Sequence, residues 1–129
     1  STPSTPPLTL LYALDAALDA ILAETIEEVW RRHARLGQLV RTRLADMGIE
    51  LFADPVFASD TVTAFRPPLG VPAGKLRDKI RADTGIEIAI GQGAASEHVN
   101  RIGHMGWVAE PELEETLAAV GRAIGDERS

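Results

Sequence analysis

The segment 8–22 restricts the fold more than any other part of the sequence. Leucine, isoleucine and alanine cover most of the circumference of a helix drawn through it. Its two charged residues are Asp15 and Asp19. A helix on the surface of a small domain normally shows a single apolar stripe. We therefore expect residues 1–24 to form a lead-in and a long helix that another domain or subunit covers. The alternative is a helix central to the core of this same domain.

Length and composition narrow the classes of protein that the chain can represent. With 129 residues and 45% apolar side chains, it is predicted to form one globular domain, and the absence of cysteine excludes disulfides and thiolate sites. No apolar run reaches the roughly 20 residues that cross a bilayer, and no signal peptide is evident, so no membrane partner is expected. The net charge of −6 argues against nucleic acid as a partner.

The remaining sequence alternates between helical and extended patterns. Helices are predicted at 25–47, at 73–84 and from Glu110 onward, and strands at 49–53, 61–65, 86–90 and 99–104. Thr5 is predicted to be the N-cap of the first helix, with Pro6 at its first position. This order predicts an α+β fold in which helices cover one face of a small, mostly antiparallel sheet.

The sequence positions of the histidines, the lysines and the Gly-Gln-Gly segment indicate structural roles, not chemical ones. His33 lies in the apolar stripe of the second helix and is predicted to be a core residue, not a ligand. His98 and His104 have no carboxylate at ligand spacing, so no metal site is expected. The Gly91-Gln92-Gly93 segment lacks the third glycine of a dinucleotide fingerprint and is interpreted as a tight loop. Lys75 and Lys79 lie four residues apart on a helix and are interpreted as solvated charges, not as Schiff-base lysines.

Arg101 is the best candidate for a binding residue. Side chains alternate across a strand, so Arg101 faces away from the helix-covered core if Ile102 faces into it. A guanidinium fixed on the open face of a sheet suits bidentate capture of a carboxylate. Nearby glycines would let a small ligand approach the backbone. The alternative is an ordinary surface or salt-bridged arginine.

Hydroxyl side chains cluster before the first helix, at Thr2, Ser4 and Thr5. Helix N-termini attract phosphate, although Pro6 and Pro7 remove two N–H donors there. The alternative is that these hydroxyls serve as helix caps alone.

Seven short segments follow one another along the chain: TPPLTLLYAL at 5–14, WRRH at 30–33, LFA at 51–53, TVTA at 61–64, GIEI at 85–88, GQG at 91–93 and RIGHMG at 101–106. This order resembles the C-terminal part of class V aminotransferases, in particular the alanine–glyoxylate and serine–glyoxylate (serine–pyruvate) enzymes. The resemblance covers nearly the whole chain, and RIGHMG is its most specific part.

The resemblance implies the small C-terminal domain of a fold type I, pyridoxal-phosphate-dependent homodimer. It implies that Arg101 binds the α-carboxylate of the substrate and that Thr5 contacts the cofactor phosphate across the dimer. The family usually has a tyrosine three residues earlier, where this chain has Thr2, so Thr2 is a weaker cofactor-binding candidate. The Schiff-base lysine of the family and the aspartate that pairs with the pyridine nitrogen have no counterpart here. We therefore expect the segment to be inactive alone, as a fragment or separated domain.

The function implied for the intact enzyme is transfer of an amino group from alanine or serine to glyoxylate or pyruvate. Its partners would be these small amino and keto acids, a large aminotransferase domain and a second copy of the enzyme. The sequence lacks a Ser-Lys-Leu ending, so a cytoplasmic location is expected. The alternative function is a non-catalytic, free-standing α+β binding or dimerisation module.

Overall fold

A computed structural model describes residues 6–127 of the chain. It divides into two compact units, with the boundary between Arg32 and His33. The helices are α1 (Leu8–Glu24), α2 (Ile26–Asp46), α3 (Ala73–Thr84) and α4 (Glu110–Glu127), and the strands are β1 (Val62–Phe65), β2 (Ala89–Ile90) and β3 (Asn100–Gly103). Short 3₁₀ helices span Pro55–Phe57 and Gly93–Ala95.

The first unit consists of α1 and the start of α2. No residue of α1 is buried, and its large apolar side chains are exposed, with Leu22 at 75% and Leu10 at 68%. Thr25 separates the two helices with a φ of +74°. Glu24 accepts two hydrogen bonds from the Arg32 guanidinium, at 2.6 and 2.9 Å, which connect the end of α1 to α2.

The first helix begins at Leu8, as predicted, but the predicted placement of Pro6 at its first position was wrong. Pro7 stands at the N-cap position with no side-chain cap, so Pro6 is not a helical residue. The reason is that a residue followed by proline is pushed away from the α conformation, and Pro7 follows Pro6. Thr5, the predicted cap, lies outside the described residues.

The second unit contains a three-stranded antiparallel sheet in the order β1-β3-β2. The predicted strand at 49–53 is reduced to one isolated bridge between Leu51 and Phe65, so the prediction of a full strand was wrong. Pairing stops there because Asp54 caps the 3₁₀ turn at Pro55–Phe57, accepting a hydrogen bond from the amide of Val56. The predicted strand at 86–90 is likewise shorter and retains its last two residues.

Helices α2, α3 and α4 contribute to one continuous core with one face of this sheet. Its buried members include Val40 from α2, Leu76 from α3, Val120 from α4, and Phe65 and Ile102 from the strands. The predicted α+β class, with a small antiparallel sheet covered by helices, is confirmed. Within residues 6–127, no helix has the length and apolar character that crossing a membrane requires.

Candidate functional site

Strand β3 lies in the middle of the sheet and presents its residues alternately to two faces. Ile102 is 3% exposed on the helix-covered face, and Arg101 points to the opposite face. The residues paired with Arg101 across the sheet are Ala64 on β1 and Ala89 on β2. Directly paired residues share a face, so the guanidinium stands between two methyl groups. These small neighbours leave room for a ligand beside it.

The Arg101 side chain is held at one end and available at the other. Its Nε donates a hydrogen bond to the backbone oxygen of Ile90, at 3.0 Å, and the residue is half-buried. Within residues 6–127 no carboxylate forms an ion pair with it. By contrast, Arg35, Arg43 and Arg66 each form an ion pair with a glutamate. A fixed cation without an internal acid suits capture of an anionic ligand, and its two terminal NH₂ groups match a carboxylate.

Among residues 6–127, Arg101 lies on an open face of the sheet, where Ala89 is exposed and Ala64 is half-buried. A cleft of about 420 Å³ lies along the loop 66–72, where Leu69, Glu97 and His98 are among its lining residues and Arg101 is not. A small-molecule site usually buries most of its ligand. The open face therefore supplies one half of a site, and a covering element would have to supply the other half.

His104 anchors the chain directly after β3. The side chain is fully buried, its Nδ1 lies 3.0 Å from the backbone oxygen of Asp60, and its Nε2 lies 2.9 Å from the Thr63 hydroxyl. A carbonyl oxygen can only accept, so Nδ1 carries the proton and Nε2 accepts from Thr63. The backbone amide of His104 also donates to the Thr61 oxygen, at 2.8 Å. One residue is therefore held at three points on the segment 60–63.

The surroundings of His104 favour its neutral form. Burial lowers the pKa of the imidazole and outweighs the hydrogen bond to the Asp60 backbone, which raises it, and the positive charge of Arg41 lowers it further. Because a neutral imidazole has one donor and one acceptor, both of its hydrogen bonds can form together. Protonation would remove the acceptor for Thr63. As the folded pKa lies below the unfolded value of about 6.5, lower pH favours unfolding at this position.

Gly37 on α2 gives the imidazole its space. A Cβ at this position would lie 3.1 Å from His104 Cε1 and 3.3 Å from the Cα of Asp60. Glycine is otherwise poor in a helix interior, so its presence here follows from this close approach. Alternation also explains the burial of His104, which lies two residues after the core residue Ile102.

Gly37→Ala is expected to lower the free energy of unfolding by about 1–3 kcal/mol, because the new methyl group meets a ring fixed at both nitrogens. Thermal unfolding of the protein measures the effect. The control is Gly74→Ala on α3, where a Cβ has open space and helix propensity favours alanine. Equal or higher stability for Gly37→Ala than for the control would contradict this packing.

Structural contacts within the chain account for His33 and for both lysines. His33 is half-buried, so its prediction as a core residue was wrong, and its Nε2 accepts a hydrogen bond from the Gly106 amide at 3.1 Å. Lys75 pairs with Glu127. Lys79 was predicted to be solvated but bridges Asp83 and Asp126, which raise its pKa.

The remaining candidates are the loop at 91–93, a metal site and the hydroxyl cluster before the first helix. The predicted tight loop at 91–93 is present, and a Cβ on Gly91 would lie 2.3 Å from the backbone oxygen of Ala95. The first glycine therefore permits a close turn. Among the described residues, no cluster of three or more acidic or histidine side chains could hold a metal. The predicted hydroxyl cluster of Thr2, Ser4 and Thr5 lies outside the described residues.

Comparison with known proteins gives consistent results. No protein-family model matches the chain. It is 43% identical, over 123 residues and 95% of its length, to an aminotransferase of Methanocaldococcus jannaschii, of which it covers 32%. It is 38% identical over 128 residues to serine–glyoxylate aminotransferase of Methylorubrum extorquens, covering 98% of this chain and 30% of that protein.

A solved structure agrees with the sequence relatives. The crystal structure of pyridoxamine–pyruvate aminotransferase from Mesorhizobium loti superposes with a TM-score of 0.94 and 37% identity, over all of this chain and 33% of that one. The chain thus spans about a third of the length of the curated relatives it matches.

Proposed function

Because the chain belongs to the class V aminotransferases and corresponds to their C-terminal domain, we propose that it supplies the substrate-carboxylate site of such an enzyme. The reaction of the whole enzyme is transfer of an amino group from a small amino acid, alanine or serine, to glyoxylate or pyruvate. The observation that carries the proposal is Arg101, a cation on the open face of the central strand with no internal acid among residues 6–127.

Arg101 binds and orients, and it does not transfer protons. Its Nε bond to Ile90 fixes the direction of the side chain, so the terminal nitrogens meet a carboxylate without first losing their conformational freedom. Both α-amino and α-keto acids carry this carboxylate, so one guanidinium serves the donor and the acceptor. Ala64 and Ala89 beside it keep the approach free of bulk.

The described residues do not fit attachment of pyridoxal phosphate, the cofactor of the proposed reaction. Both lysines lie on α3 and form ion pairs with carboxylates, and neither shares the sheet face of Arg101. We therefore assign the attachment lysine to the large domain of the enzyme, which corresponds to the part of the relatives that this chain does not cover. Thr5 and Thr2 remain proposed phosphate contacts outside the described residues.

The exposed helix α1 is the proposed contact with that remaining part. None of its residues is buried within the described chain, and its large apolar side chains range from 37% exposed at Ile21 to 75% at Leu22. Contiguous apolar surface of this kind marks an interaction site on soluble proteins. We assign α1 to packing against the large aminotransferase domain or the dimer partner.

The test of this function is an amino-transfer assay on the full-length protein with pyridoxal phosphate. Alanine or serine is paired with glyoxylate or pyruvate, and the new amino acid is quantified. We expect turnover with at least one pair, and much weaker turnover with alaninamide, which lacks the carboxylate. The proposed function is wrong if no pair reacts, or if alaninamide is used as well as alanine.

A further inference from the structure

We propose that His104 and Thr63 form a clamp that positions Arg101 for the substrate carboxylate. The inference rests on the proposed function and adds residues to it that do not touch the substrate. The clamp is defined here as the hydrogen bond between the Thr63 hydroxyl and His104 Nε2, together with the bond from His104 Nδ1 to the backbone oxygen of Asp60.

The clamp acts on the pair of strands that holds Arg101. Thr63 precedes Ala64, the residue paired with Arg101 across β1 and β3, and His104 follows the end of β3. The hydrogen bond therefore ties the two strands together on the covered face, next to the position where Arg101 emerges on the open face. A slip of one residue between these strands would turn Arg101 toward the core.

The clamp is also attached to helix α2. The Arg41 guanidinium donates to the backbone oxygen of Ser59 at 2.8 Å and lies 3.4 Å from the Asp60 carboxylate. Arg41 therefore holds the segment whose backbone oxygen, at Asp60, accepts the hydrogen bond from His104 Nδ1. Gly37, one helical turn before Arg41, lets the ring approach α2 closely. Within the second unit, as far as residue 127, the helices pack on the covered face of the sheet, so these contacts on that face set the position of Arg101.

A neutral imidazole suits this place because it donates and accepts at once. The Thr63 hydroxyl and the Asp60 carbonyl lie on opposite sides of the ring and require one acceptor and one donor. In a site closed to water, each missing partner leaves a buried polar atom unsatisfied. Loss of the Thr63 hydroxyl would therefore release the ring and let the end of β3 move.

The experiment compares Thr63→Val, Thr63→Ser and the matched control Thr42→Val in the full-length holoenzyme. Thr42 is exposed on α2, and its hydroxyl accepts from Gln38. We expect Thr63→Val to raise the KM for alanine and for glyoxylate about tenfold, with cofactor content and kcat changed much less. Thr63→Ser keeps the hydroxyl and should recover most of the affinity. Thr42→Val should behave as wild type.

A split between KM and kcat separates positioning from general stability. If Thr63→Val lowers kcat and cofactor content while KM stays constant, the clamp serves folding alone and the proposal is overturned. If Thr63→Val does not fold, Arg41→Lys tests the clamp from α2, with an expected rise in KM of about threefold. An unchanged KM for that variant would also overturn the proposal.

The proposed function is judged separately in the same assay. A raised KM in Arg101→Ala with an unchanged KM in Thr63→Val refutes the clamp and leaves the carboxylate site intact. An unchanged KM in Arg101→Ala refutes the carboxylate site, and with it the clamp.

Discussion

Arg101→Ala in the full-length enzyme is expected to raise the KM for both amino and keto acid about 10- to 100-fold, because a charge-assisted hydrogen bond contributes roughly 1.5–3 kcal/mol. No carboxylate among residues 6–127 pairs with the Arg101 guanidinium. The substitution therefore removes the contact with the ligand and does not break an internal ion pair. Steady-state kinetics with alanine and glyoxylate varied in turn measures the change.

Two further arginine substitutions sharpen this result. Arg101→Lys keeps the charge but loses the planar fork and the Nε donor, so its KM should lie between wild type and Arg101→Ala. Arg122→Ala removes an exposed arginine from α4 and should leave the kinetics unchanged. Equal KM values for Arg101→Ala and Arg122→Ala would show that the substrate carboxylate binds elsewhere.

The chain expressed alone is expected to self-associate, because α1 exposes apolar side chains along its length. Burial of apolar surface is favourable by about 25 cal/mol per Å², and several exposed leucines on one helix offer enough area to drive association. Size-exclusion chromatography with light scattering measures the mass. The combined change Leu10→Lys, Leu14→Lys and Leu22→Lys should shift the chain to a monomer.

The matched control places lysine on exposed apolar residues of the second unit. Val56→Lys and Leu69→Lys remove comparable side chains that are 82% and 105% exposed, and self-association should persist. A monodisperse wild-type monomer would contradict self-association through α1.

Local sequence patterns predicted the parts of the fold that depend on neighbouring residues. The α+β class followed from the order of helical and extended periodicities. The face of Arg101 followed from alternation against Ile102, and the unusual α1 followed from its all-round apolar surface. The function of Arg101 came from the family resemblance, because spacing alone left a surface or salt-bridged arginine as the alternative.

Features that depend on distant contacts were not predictable in the same way. The segment 49–53 pairs with β1 at a single bridge, Leu51 to Phe65, because the Asp54 cap turns the chain away from β1. His104 was considered as a metal ligand, yet its partners Thr63 and Asp60 lie more than 40 positions earlier. Its burial is in register with that of Ile102 but was not predicted, and no sequence pattern indicated the close approach at Gly37.

The most direct test of the carboxylate site is a crystal structure of the full-length holoenzyme with pyruvate bound. We expect the pyruvate carboxylate to lie about 2.7–2.9 Å from the terminal nitrogens of Arg101, on the sheet face between Ala64 and Ala89. A carboxylate held by other residues, with Arg101 turned away from it, would show that Arg101 is not the carboxylate site.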